Sequence, residues 1–218
     1  MEQDVLSGDT IADSGRSPQR RHLAWPEDLD HVALSGGGAG GAAACPSYKA
    51  LARRFAGTAA EQFAYTLVWI AGTEPTRRAR RRYHSTYEFL LREGQHYELK
   101  DRPSSLDAGI PGRCYANCYK VAMRAPERYA YCEGMAEADG IPFEHAWLLD
   151  LQDGRIVDPT WLDDTAGAYI GVAVARSYLA TAFRRSGRVF LEQGSRNPIL
   201  TGEAGETWRH GQHSHASC

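Results

Sequence analysis

Lysine is almost missing from this 218-residue chain: Lys49, Lys100 and Lys120 are the only three among 25 basic residues. Arginine supplies the rest, and 27 acidic residues bring the formal net charge to −2, without the positive surplus a general nucleic-acid binder needs. The bias toward arginine, alanine and glycine suggests a GC-rich bacterial genome. Long apolar runs are missing too. The longest, FAYTLVWIAG at 63–72, is far short of the roughly 20 residues that span a bilayer and reads as a buried helix. The first residues, MEQDVLSGDTIADSGRSPQRR, have no apolar stretch behind a positive start, so no secretory signal is expected. Five cysteines, an odd number without disulfide-like spacing, point to a reducing compartment. A cytoplasmic protein with no nucleic-acid or membrane partner is therefore expected. There is no G-x-S-x-G elbow, and no G-K-[ST] follows the glycines of HVALSGGGAGGAAAC at 31–45, so that segment reads as a flexible linker. No internal repeat is visible.

What the sequence does hold is Cys114, His145 and Asp158, in that order within GRCYANCYKVAM…PFEHAWLLDLQDGRIVDPTW. Cys114 follows Pro111, Gly112 and Arg113 and opens CYANCYKVAMRA, where Cys118, Val121 and Ala122 recur at helical spacing. It is therefore expected in a helix's first turn, where unpaired N–H groups and the positive end of the dipole favour a thiolate and could steady an oxyanion. In FEHAWLLDL, Phe143, His145, Trp147 and Leu149 alternate with Glu144, Ala146, Leu148 and Asp150, the period of a strand. Asp153 and Gly154 supply a hairpin turn, and RIVDPTW returns as a second strand that Pro159 ends just after Asp158. Such a hairpin brings a carboxylate beside one imidazole nitrogen and leaves the other for sulfur, which is the division of labour a nucleophilic triad requires.

These motifs resemble the transglutaminase-like, papain-like superfamily of Cys-His-Asp enzymes. GRC at 112–114 with Cys118 one turn on resembles the family's nucleophile helix, and YAYCEG at 129–134 the strand that follows. HAW at 145–147 and DPTW at 158–161 are similar to its histidine and aspartate strands. The resemblance spans roughly residues 110–165. It implies an α+β fold, a nucleophile helix packed on an antiparallel sheet with a helical segment in front, and a thioester acyl-enzyme on Cys114. The reactions it allows are amide or peptide hydrolysis and amide-forming acyl transfer, on a small molecule or peptide, with a thioester as one candidate donor and no cofactor. Arylamine N-acetyltransferases use the same order of residues, but the Arg-Gly-Gly stretch that precedes their cysteine is replaced here by Pro111, Gly112 and Arg113.

Other readings compete for the same residues. Cys114, Cys118, Cys132 and His145 could be four zinc ligands, giving a non-catalytic or zinc-stabilised binding module, although cysteines on a helix and two strands are not the tight knuckles of structural zinc and Asp158 is left unexplained. No metal is expected. Cys118 and Cys132 read as small buried residues. Asn117, three residues after Cys114, and Trp147, on the face of His145, are candidates for contacting substrate. Glu144 and Asp150 should be solvated. Asp163 and Asp164 compete with Asp158 for the orienting role but should already lie in a loop.

The chain divides into a disordered tail at 1–30, one catalytic domain at 31–200 whose N-terminal part is helical, and a disordered polar tail at 201–218. Helical patterns occupy 46–55 and 60–71, and 75–94 sets Tyr83, Tyr87, Leu90 and Leu91 on one stripe before Gly94. Arg77, Arg78, Arg80, Arg81 and Arg82 spread around more than one helical face and read as solvated surface. A short strand is expected at 97–100, another at 168–172, and an amphipathic helix at 175–187 closed by Gly187.

Overall fold

Asp139 and Gly140 both take positive φ, 51° and 81°, the backbone that joins two antiparallel strands through a two-residue turn. The strands they join are β2 (Tyr129–Ala138) and β3 (Ile141–Asp150), paired from Ala138↔Ile141 to Tyr129↔Asp150. A longer turn with Gly154 at φ 75° leads into β4 (Ile156–Val157), in register Leu148↔Val157. On the far side of β2 lies β5 (Ala166–Val174), and beside it β1 (Gln95–Tyr97), so the antiparallel sheet runs β1-β5-β2-β3-β4. These elements come from a computed structural model that describes residues 48–73, 82–161, 166–187, 189 and 197–211. The Gly-rich segment, Arg77 to Arg81, Asp163 and Asp164 lie outside those residues.

The sheet curls until its two edges meet. Past β1, Leu99 bridges Ile156, Lys100 N–H donates to Ile156 O and Ile156 N–H to Glu98 O, each at 2.9 Å. The expected strand at 97–100 is thus the seam of a nearly closed sheet. Asp150 lies at this seam and is fully buried, bound by Lys100 Nζ at 2.5 Å and Arg128 at 2.8 Å. That corrects its reading as a solvated strand residue. Burial alone would raise the Asp150 pKa; the two cations and the Gln152 N–H outweigh it and lower it.

Helices cover one face. In front come α1 (Tyr48–Ala52), extended by a 3-10 turn at Arg53–Phe55, α2 (Glu61–Thr73) and α3 (Thr86–Glu93). The run at 63–72 is α2, which buries Phe63, Ala64, Leu67, Val68 and Ala71 and leaves Trp69 half exposed. Ser85 caps α3 by accepting from Glu88 N–H, so this helix begins later than the stripe at 75–94 suggests, and Tyr83 packs edge-on against Phe89 from outside it. After the sheet come α5 (Arg176–Ser186), closed by Gly187 at φ 73°, and α6 (Pro198–Thr201). No helix among the described residues is long and apolar enough to cross a membrane.

The packed chain reaches residue 211, beyond the boundary at 200 that its polarity suggests. Trp208 is buried against Phe89, Ala175 N–H donates to Trp208 O at 2.7 Å, and Arg209 pairs with Glu93 and Glu206. One buried tryptophan with a short bridge to β5, Val174↔Arg209, is enough to dock a polar segment.

The fold is therefore α+β, and its central helix is α4 (Cys114–Arg124), which packs on β2 and β3. Its buried positions, Cys114, Asn117, Cys118 and Ala122, are spaced three, four and eight residues from the first and form one stripe.

Candidate active site

A tight turn aims Cys114. Arg113 N–H donates to Ile110 O at 3.2 Å, with Pro111 at the second position and Gly112 at φ 73° at the third, the requirements of a type II turn. The chain then enters α4 directly. The N-cap Arg113 lends no side-chain acceptor to the first-turn N–H groups, and Cys114, as the first helical residue, stands at the positive end of the helix.

Asn117 fastens this turn to the other end of the site. Its Nδ2 donates to Ile110 O at 2.8 Å and to Thr160 Oγ1 at 2.9 Å, while its Oδ1 accepts from Ile110 N–H. Gly109 N–H donates to Pro159 O at 2.6 Å, and a Cβ on Gly109 would lie 2.3 Å from Asn117 Nδ2, so only glycine permits the approach. The segment after β4 and the entry to α4 are thereby held as one unit.

His145 and Asp158 meet through strand register. Continuing Leu148↔Val157 by one residue sets Asp158 opposite Trp147, on the face that Trp147 shares with His145. Asp158 Oδ2 lies 2.6 Å from His145 Nε2. Cys114 lies close enough to His145 to influence its charge, and with Nε2 engaged by the carboxylate, Nδ1 is the nitrogen left for sulfur. All three groups are within a tenth of full burial: Cys114 is 8% exposed, His145 6% and Asp158 4%. Burial disfavours a charged imidazole, but the hydrogen bonds and negative charge of Asp158 and Cys114 more than offset it and raise the His145 pKa to about 9. At neutral pH the ring carries a proton that it can deliver.

The carboxylate is held on both oxygens. Oδ1 accepts from the N–H groups of Thr160 at 2.8 Å and Trp161 at 3.0 Å, while Oδ2 accepts from the Tyr169 hydroxyl at 3.1 Å as well as bonding His145. Around the imidazole stand Trp161, 5.1 Å between ring centres, and Phe143, 5.8 Å, which meet edge to face at 4.5 Å.

The structure thus brings Cys114, His145 and Asp158 together. It places the two candidate substrate contacts inside the protein instead: Asn117 spends its amide on Ile110 and Thr160, and Trp147 is fully buried against Tyr97 and Tyr169 with its ring over Gly134 and Gly171. Both act as supports. Tyr169 and Trp161 are the residues the sequence reading missed. Nothing local marks Tyr169, which belongs to another strand, whereas Trp161 closes the DPTW motif, in which only Asp158 was given a role.

The zinc ligand set does not assemble. Cys118 faces α4's side of the sheet and donates to Ala146 O at 3.3 Å, while Cys132 stands opposite Trp147 on the other face. Among the described residues no three His, Cys, Asp or Glu side chains are grouped to hold a metal ion. Burial pushes the Cys118 thiol well above its ordinary pKa and Cys132 up to about 12, so both remain protonated and inert.

No protein-family model matches this sequence, and comparison with curated proteins and with solved structures finds no match either.

Proposed function

We propose that this protein is a thiol acyl-transfer enzyme of transglutaminase-like, papain-like architecture, which forms a thioester on Cys114 from an amide or thioester of a small molecule or peptide. The observation that carries the reading is the His145 ring, bound through Nε2 to Asp158 and set beside Cys114 at a helix N-terminus.

In this mechanism Cys114 Sγ attacks the substrate carbonyl and an S–C bond forms. His145, holding the thiol proton on Nδ1, passes it to the leaving amine or thiol as the C–N or C–S bond breaks. Water or an amine, deprotonated by the now neutral ring, then attacks the thioester and Sγ leaves. Asp158 keeps Nε2 protonated, so that Nδ1 is always the working nitrogen, and stabilises the imidazolium. Water gives hydrolysis and an amine gives amide formation; a buried, aromatic-walled histidine suits either acceptor.

Intact-mass measurement after incubation with p-nitrophenyl acetate tests the reading. The expected result is one acetyl group, mapped to Cys114 and absent from Cys114→Ala. Release of nitrophenol by Cys114→Ala at the wild-type rate would rule it out.

A further inference from the structure

We propose that Tyr169 is a positioning residue for this site: its phenol, donating to Asp158 Oδ2 at 3.1 Å, pins the carboxylate and limits how tightly that carboxylate makes His145 hold its proton. The proposal rests on the triad reading of Cys114, His145 and Asp158.

Tyr169 arrives from a distance. On β5 it stands opposite Ala136 of β2, which in turn stands opposite Phe143 of β3. Both β2 and β3 stand between β5 and the segment that carries Asp158, and on that face β2 presents Cys132, Gly134 and Ala136, all small enough to leave room for rings. The phenol is buried, and burial with the neighbouring Asp158 charge pushes its pKa far above the ordinary value, so it stays an O–H donor at every working pH.

A carboxylate offers about four acceptor positions, and Asp158 has a partner for each: two N–H groups on Oδ1, with His145 and Tyr169 on Oδ2. The phenol competes with the imidazolium for the same oxygen. Without it, more of the carboxylate's charge falls on His145, the ring holds its proton more firmly, and proton delivery slows. The other titratable groups near this point are Cys114 from α4, Cys132 from β2 and Tyr97 from β1, with Cys118 acting from the helix side of the sheet; Glu144 alternates to the opposite face of β3. Burial holds Cys118 and Tyr97 well above their ordinary values and Cys132 at about 12, so these three add no titration near that of His145.

Tyr169→Phe removes only the hydroxyl. The rate at which iodoacetamide labels Cys114, followed by peptide mapping across the pH range, should keep its shape while its basic limb moves up by about half to one pH unit. In an Asp158→Asn background the same substitution should produce no shift, a dependence that simple loosening of the core would not show. A Tyr169→Phe profile that superimposes on the wild type overturns the proposal. In the unmodified protein a slowly exchanging Tyr169 phenolic proton should change its NMR shift as His145 titrates, and a proton indifferent to that titration overturns the proposal without any variant. If Cys114 of the wild type is labelled no faster than Cys118 or Cys132, the triad reading itself fails; normal wild-type labelling with an unmoved Tyr169→Phe limb sinks only the role of Tyr169.

Discussion

On one face of the sheet Ala146, Leu148, Ile170, Val172 and Val174 meet the helices, while on the other Tyr97, Trp147 and Tyr169 fill the space with their own rings above Cys132, Gly134, Gly171 and Ala173. The first is a mixed layer in which these aliphatic side chains meet Phe63, Phe89 and Tyr131, with buried Glu133 held by the Tyr131 hydroxyl and the Val189 N–H, and Cys118 sits in it as one more small side chain. The second joins rings that keep a polar edge, and His145 and Asp158 lie among them. Each side keeps a buried carboxyl by giving it a tyrosine hydroxyl, Tyr131 to Glu133 on the helix side and Tyr169 to Asp158 on the other, but only the second also brings an imidazole against it. Helix α4 serves both regions: its length packs on the helix side of the sheet while its first residue reaches the histidine of the other.

Breaking the link between the two regions should have the largest effect. Cys114→Ala is expected to lower turnover by roughly four powers of ten or more, read as nitrophenol release at unchanged thermal stability. Next comes Asp158→Asn, which should cost roughly two to four powers of ten because an amide can favour the wrong imidazole tautomer; circular dichroism should show the fold intact, and wild-type turnover in this variant would reassign the orienting residue. Replacing a pillar of the aromatic face, Trp147→Ala, is expected to destabilise by about 3 to 5 kcal/mol in urea unfolding, since the ring spans Gly134 and Gly171 and no neighbour can take its place.

The pH dependence of stability sharpens the same contrast. Because the folded His145 pKa is raised to about 9, its pairing contributes roughly 3 kcal/mol that is complete below about pH 6.5 and lost as pH rises through about 9. Denaturant midpoints of the wild type should fall across that window, and those of His145→Gln should fall less. The smallest effect belongs to the helix side: Cys118→Ala, one helical turn from Cys114, should cost about 1 to 2 kcal/mol and leave turnover mostly intact. Loss of activity equal to that of Cys114→Ala would erase the distinction between the two faces.

How much of this was legible beforehand follows from the range of each interaction. The site motifs are local: Pro111-Gly112 makes its own turn, β3 and β4 form a hairpin, and the Asp158 carboxylate is held by N–H groups two and three residues further on. Periodicity and turn chemistry read such features directly. Asp150, Asn117 and Tyr169 could not be placed in this way, because their partners come from Lys100, Thr160 and Asp158 across sheet closure and strand order. Alternation along β3 sets Asp150 on the face opposite His145 and is blind to the strand that curls round to meet it. Trp208 escaped for a different reason: one apolar side chain in a polar run carries no period at all.

The seam at Glu98–Lys100 gives the site a place in the order of folding. β4 pairs with β3 over only two residues, and a slip of one residue would turn Asp158 toward the helices. The hydrogen bonds Ile156 N–H to Glu98 O and Lys100 N–H to Ile156 O bar that slip, but they form only once a long intervening loop has closed, which is the slow kind of contact. A refolding chain should therefore regain its helical signal and its β2–β3 hairpin before it regains turnover. Activity would be the last observable to recover, reporting the moment the two edges of the sheet find each other.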